Sequence, residues 1–82
     1  MYKIIFTEQA VCDIEDLDTK IRKRIASKLK KFARAPFTYA KKLTRHEIGS
    51  YRFRIGDYRA IFDVDGDKIV ILRIGHRDKI YK

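Results

Sequence analysis

The stretch from Tyr51 to Lys82, YRFRIGDYRAIFDVDGDKIVILRIGHRDKIYK, decides the fold. Strand side chains alternate between the two faces of a sheet. In Tyr51-Arg52-Phe53-Arg54-Ile55 the aromatic and aliphatic residues share one face, and Arg52 and Arg54 share the other. Tyr58-Arg59-Ala60-Ile61-Phe62 repeats the pattern, with Arg59 opposite Tyr58, Ala60 and Phe62. Ile55-Gly56-Asp57-Tyr58 supplies a tight turn between these runs. Val64-Asp65-Gly66-Asp67 supplies the next, because Asp-Gly suits a type I′ hairpin. Lys68 to Gly75 is almost continuously apolar, as in a central strand covered on both faces, and Arg73 interrupts it near its end. An antiparallel sheet with one apolar and one cationic face is a surface suited to a polyanion.

Upstream, Tyr2-Lys3-Ile4-Ile5-Phe6 reads as a strand. Thr7 is placed to cap a helix, with Glu8 in its first turn and Ala10, Val11, Ile14 and Leu17 at helical spacing. Asp18 is a cap for a second helix striped by Ile21, Ile25, Leu29 and Phe32. Pro36 forces Ala35 out of helical geometry and ends it. Pro36 to Ser50 reads as a loop or weak strand. The expected fold is α+β: an N-terminal strand, an antiparallel helical hairpin, then three to four antiparallel strands in a twisted sheet with the helices on one face.

Eighty-two residues make one domain, spanning 1–82, with room for one modest core. Twenty basic residues against 11 acidic ones give a net charge of +9, which favours nucleic acid through phosphate neutralisation. Lys20, Arg22, Lys23, Arg24, Lys28, Lys30, Lys31 and Arg34 lie along the second helix with no acid among them, so it lacks the mixed-sign i,i+4 pairs of an ordinary solvated face. With Lys41, Lys42 and Arg45 they are candidates for docking on a phosphate-rich surface such as RNA. Cys12 is the single cysteine, so no internal disulfide and no cysteine zinc cluster is expected. The N-terminal apolar run is too short for a signal peptide, and no run approaches a membrane span, so a cytoplasmic protein is expected. Single glycines at 49, 56, 66 and 75 make no phosphate loop.

Three parts of the chain occur together in order: Tyr51-Arg52-Phe53-Arg54-Ile55-Gly56-Asp57-Tyr58-Arg59-Ala60-Ile61-Phe62, the Asp-Gly hairpin, and Gly75-His76-Arg77-Asp78-Lys79-Ile80-Tyr81. With the N-terminal strand and helices they resemble the RelE/ParE superfamily of small bacterial and archaeal toxins, most of all its RelE branch. The resemblance covers nearly the whole chain. It implies a type II toxin that cuts translated mRNA in the ribosomal A site without a metal or other cofactor. In that reaction the ribose 2′-hydroxyl attacks the adjacent phosphate, giving a 2′,3′-cyclic phosphate and a 5′-hydroxyl. It also implies an acidic RelB-like antitoxin as partner, in a heterodimer or heterotetramer, with the ribosome and mRNA as targets and no membrane association.

Carried over position by position, the resemblance assigns the chemistry to Arg52, Arg54, Arg59, His76, Arg77 and Tyr81. Arginine forks suit phosphate. Some RelE proteins place lysines where this chain has Arg52 and Arg54. Arginine keeps its proton at ordinary pH, so these two read as electrostatic stabilisers rather than bases. Histidine exchanges protons near neutrality, which makes His76 the candidate shuttle, and Tyr81 is suited to stacking on a base or assisting it. His46 and Glu47 are weaker candidates. Tyr51, Phe53, Tyr58 and Phe62 read as core. The rival readings are a ParE-like inhibitor of DNA gyrase and an inactive nucleic-acid-binding relative.

Overall fold

The computed structural model describes residues 1–44 and 48–80. Its elements are β1 (Lys3–Phe6), α1 (Glu8–Glu15), α2 (Thr19–Phe32), α3 (Pro36–Tyr39), β2 (Lys41–Lys42), β3 (Tyr51–Ile55), β4 (Tyr58–Asp65) and β5 (Lys68–His76). They form one five-stranded sheet in the order β1-β5-β4-β3-β2. The α+β architecture expected from the sequence is present. The sheet is mixed, however. Strands β2 to β5 are antiparallel to their neighbours, while β1 returns beside β5 in parallel register, Ile4 against Ile69 and Phe6 against Ile71.

Both helix starts follow their capping residues. The Thr7 hydroxyl accepts from Ala10 N–H at 3.2 Å, and lies 2.9 Å from Ile71 O and 3.2 Å from Leu72 O, so it also donates back to β5. Asp18 accepts from Thr19 N–H at 3.1 Å. Both contacts satisfy groups that a helix start or strand edge would otherwise leave open. Pro36 does more than end α2. Ala35 leaves helical geometry, at φ −151° and ψ 70°, and Pro36 then opens the short helix α3, where its missing N–H costs nothing. The weak strand expected in this region is only β2.

The helix-facing pleat carries Phe53 and Ile55 from β3, Ala60 and Phe62 from β4, and Ile69, Ile71 and Ile74 from β5. Helix α2 covers it with Ile25, Leu29 and Phe32, and α1 with Ala10. Phe53 stacks on Phe62 at 4.1 Å and tilts against Phe32 at 4.7 Å, so truncating either ring opens a cavity costing about 3–5 kcal/mol. Tyr51 and Tyr58 pack against this core, as their positions in the alternation predict. Val11 departs from its expected stripe and is 42% exposed.

Two local features differ from the sequence reading. In the β4–β5 hairpin Asp65 pairs with Lys68, so the turn residues are Gly66 and Asp67 rather than Asp65 and Gly66. Only Gly66 has positive φ, at 61°, which is the type II′ requirement and not that of type I′. In β5 the pairing shifts between Ile61 and Phe62: Phe62 faces Ile71 while Ile61 faces Arg73. Leu72 is the extra residue of a β-bulge, which bends the strand and resets its alternation. That explains the spacing Ile69, Ile71, Ile74 on one face, and why β5 continues beyond Arg73 to His76.

Candidate nucleic-acid interface

The pleat turned away from the helices carries the cations. Arg54 and Arg59 are register partners, and Arg52 faces Lys41 on one side and Ile61 on the other. Like charges placed directly opposite each other destabilise a sheet. Of the two carboxylates that alternation puts on this pleat, Asp63 accepts from Ser50 N–H at 2.7 Å and is thereby turned to a backbone group, and Asp65 stands at the far hairpin as the register partner of Lys68. The outer pleat is not cationic throughout. Ile61 is fully buried on it, because the segment leading into β3 crosses over: a Cβ at Gly49 would stand 2.6 Å from Ile61 Cγ2 and 3.0 Å from a Leu72 methyl. At the other end Ile80 folds back over Gly75, at distances of 3.6–3.7 Å from where its Cβ would lie. The basic row therefore runs between two apolar plugs.

The β3–β4 turn gathers three arginines. Gly56 adopts φ 60°, as a two-residue hairpin demands. Arg59 is buried, and its Nη1 donates to the carbonyls of Gly56 and Tyr58, each at 2.9 Å. Arg77 N–H donates to Asp57 O at 2.8 Å. The Arg24 guanidinium reaches over from α2 to lie where a Gly56 side chain would be, with Nη2 2.9 Å from the Cβ position.

Of the residues expected to act in catalysis, Arg52, Arg54 and Arg59 share the outer pleat, and Arg77 follows at the end of β5. His76 is set apart. It is the register partner of Tyr58 on the helix-facing pleat, and the two rings meet edge to face at 5.5 Å. The bulge causes this, since it shifts the alternation by one residue before His76 is reached. His76 Nδ1 lies 3.2 Å from Asp78 N–H and 3.5 Å from Asp78 Oδ2. In the shorter contact the Asp78 N–H, held by the turn, donates to Nδ1, which leaves Nε2 as the ring nitrogen free to meet a substrate. Tyr81, Arg45, His46 and Glu47 lie outside the described residues.

Lys20, Arg22, Lys23, Arg24, Lys28, Lys30, Lys31 and Arg34 are all exposed along α2, and Lys41 and Lys42 are exposed on β2. Lys31 lies 5.5 Å from the centre of the Tyr39 ring, a cation–π contact. A groove of about 660 Å³ opens between β1 and α2. Ile4, Phe6, Ala26 and Leu29 line it, with Lys30 and Arg34 at the rim. Ile5 and Phe6 leave about two fifths of their surface exposed on this edge strand, at 42% and 40%. Sequence reading did not single out this groove; its signal was the apolar N-terminal strand at a sheet edge.

Beside the arginine row, Asp13 of α1 accepts from Arg73 Nε at 2.9 Å and from Ile74 N–H at 2.9 Å. It closes the edge of β5 where β1 has ended. Burial pushes its pKa up, but the hydrogen bonds from Arg73, Ile74 N–H and Gln9, with the Arg73 charge, bring it below the usual carboxylate value. Among the described residues no group of His, Cys, Asp and Glu is arranged to hold a metal ion, and no helix is long and apolar enough to cross a membrane.

This arrangement matches known proteins along its whole length. The family model described as the ParE toxin of type II toxin–antitoxin systems matches residues 4–81. Toxin RelE3 of Methanocaldococcus jannaschii is 32% identical over 96% of this chain and 94% of its own. Toxin RelG of Mycobacterium tuberculosis is 33% identical over 99% and 97%. Among solved structures, the RelBE2 toxin–antitoxin complex of M. tuberculosis superposes with a TM-score of 0.83 at 30% identity, covering 93% of this chain and 98% of that one. The RelB–RelE complex from Methanococcus jannaschii gives 0.72 at 30% identity, covering 94% of each. The chain belongs to the RelE/ParE superfamily and is a toxin of the type II toxin–antitoxin class.

Proposed function

We propose that this toxin is a ribosome-dependent endoribonuclease that cleaves mRNA in the A site and so arrests translation in the cytoplasm. The observation that carries this reading is the outer pleat: Lys41 opposite Arg52 and Arg54 opposite Arg59, with Asp63 bound to Ser50 N–H and Asp65 away at the β4–β5 hairpin opposite Lys68. Such a face is unfavourable to an isolated sheet and becomes favourable over a polyanion. Cleavage by the neighbouring 2′-hydroxyl builds charge on a pentacoordinate phosphorus, and preorganised cations stabilise that charge more than the ground state's. Arg52, Arg54 and Arg59 hold it from the pleat, and Arg77 from the adjoining turn. Proton transfer falls to His76 through Nε2 and to Tyr81. The separation of His76 from the arginines makes it the smaller contributor of the set.

The partner is an acidic antitoxin resembling RelB, consistent with relatives solved as RelB–RelE complexes. An apolar groove with a cationic rim suits an amphipathic acidic segment that folds on binding. The family description names ParE, which favours gyrase inhibition as the second reading. Ribosomes programmed with a defined message separate the two. The proposal expects A-site cleavage leaving 2′,3′-cyclic phosphate and 5′-hydroxyl ends. Intact message together with blocked gyrase supercoiling overturns it.

A further inference from the structure

We infer that Arg24 forms a second phosphate-contacting position at the β3–β4 turn, carrying a bound RNA strand from the outer pleat round to α2. The inference rests on the RNA-cleaving reading and extends its site. Arg24 is exposed, yet its guanidinium does not simply extend into solvent. It lies on the Gly56 backbone, with Nη2, Cζ and Nη1 at 2.9, 3.2 and 3.3 Å from the Cβ position. The glycine thus does two jobs: its positive φ makes the turn, and its missing side chain admits the guanidinium.

The same turn receives Arg59 Nη1 on Gly56 O and Arg77 N–H on Asp57 O. Arg24 therefore stands beside residues already assigned to phosphate, approaching from the helix side while Arg54 and Arg59 approach from the outer pleat. Among the described residues no carboxylate forms an ion pair with it. Lys20 and Lys28 stand four residues either side of Arg24, on the same helical row. Three like charges at that spacing weaken a helix, as opposed like charges weaken the sheet. The row on α2 and the row on β3–β4 meet at Gly56. A planar fork laid on this turn is suited to grip one phosphate bidentately.

The test uses the full chain and two probes: a defined message on ribosomes, and a single-stranded RNA carrying non-cleavable 2′-O-methyl sugars. Arg24→Ala should raise KM for ribosome-bound message about tenfold with kcat nearly kept, and should lower the salt slope of binding to the methylated RNA by about 1. Arg24→Lys should recover part of the loss. Lys68→Ala, which removes the same charge at the opposite end of the sheet, should change both by less than twofold. If Arg24→Ala behaves like Lys68→Ala in a protein that still cleaves, the Arg24 site is overturned and the RNA-cleaving reading stands. If the wild-type chain neither cleaves nor binds RNA, both fall. Thermal unfolding of each variant shows that the fold is intact, and Arg24→Gln replaces Arg24→Ala if the latter unfolds.

Discussion

The outer pleat and the β1–α2 groove are both bordered by cations, yet they are made of opposite material. On the pleat, cations face cations at Lys41–Arg52 and Arg54–Arg59, and Ile61 and Ile80 are apolar plugs at either side of that row. In the groove, aliphatic and aromatic side chains form the floor and Lys30 and Arg34 stay at the rim. A floor of arginine recognises phosphate, whose charge must be matched. A floor of Ile4, Phe6 and Leu29 rewards burial of another apolar surface, and its basic rim selects an acidic one. The pleat and the groove share no lining residue, so on the proposed function a polyanion and a protein partner would have separate surfaces.

That contrast breaks most readily on the pleat. Arg52→Ala with Arg54→Ala should lower ribosome-programmed cleavage by on the order of 10²-fold or more. Stability should hold or rise slightly, by up to ~0.5 kcal/mol, because opposed like charges are removed. A fall in Tm alongside the lost activity would make these arginines structural. His76→Ala should cost only about tenfold, below the roughly 10²–10⁴-fold of a well-positioned proton-transfer group, because His76 stands on the opposite pleat from the arginines.

The boundary of the pleat is tested by Gly49→Ala. Its new methyl would meet Ile61 Cγ2 at 2.6 Å, so unfolding in denaturant should show a loss of about 1–3 kcal/mol from overpacking. On the groove side, Ala26→Glu should raise the Kd of the acidic partner roughly tenfold, read by calorimetry, by placing like charge against it.

The smallest expected effect is at Asp13. Its folded pKa is depressed, so its contribution is fully present above the ordinary carboxylate range and is lost as pH falls through the lowered value. Asp13→Asn should therefore cost about 1 kcal/mol near neutrality, a figure kept low because Arg73 is 45% exposed. The gap between the two melting curves should narrow in acid and close once the pH lies below the lowered value.

Much of this was written in local chemistry. Thr7 and Asp18 announce the helix starts, Gly56 the first late turn, and the alternation of Tyr51 to Phe62 places arginines opposite aromatics. What was not legible depends on partners distant in sequence. The parallel pairing of β1 with β5 has no local mark in Ile4 or Phe6. Pro36 signals the end of α2 and the start of α3 with the same fixed φ, and the break between them lies at the non-helical Ala35. The bulge at Leu72 is visible beforehand only as an odd spacing, Ile69, Ile71, Ile74. It moves His76 to the helix-facing pleat. The arginine face was therefore readable, while the position of the histidine relative to it was not.

The central claim, that the outer pleat holds the phosphate of a translated message, is tested most directly by mapping mRNA 5′ ends after induced expression of the wild-type chain and of Arg52→Ala/Arg54→Ala. New 5′-hydroxyl ends confined to translated regions and in register with codons, present for the wild type and absent for the variant, are the predicted result. Ends of equal number and position in both strains, or none in either, would contradict it.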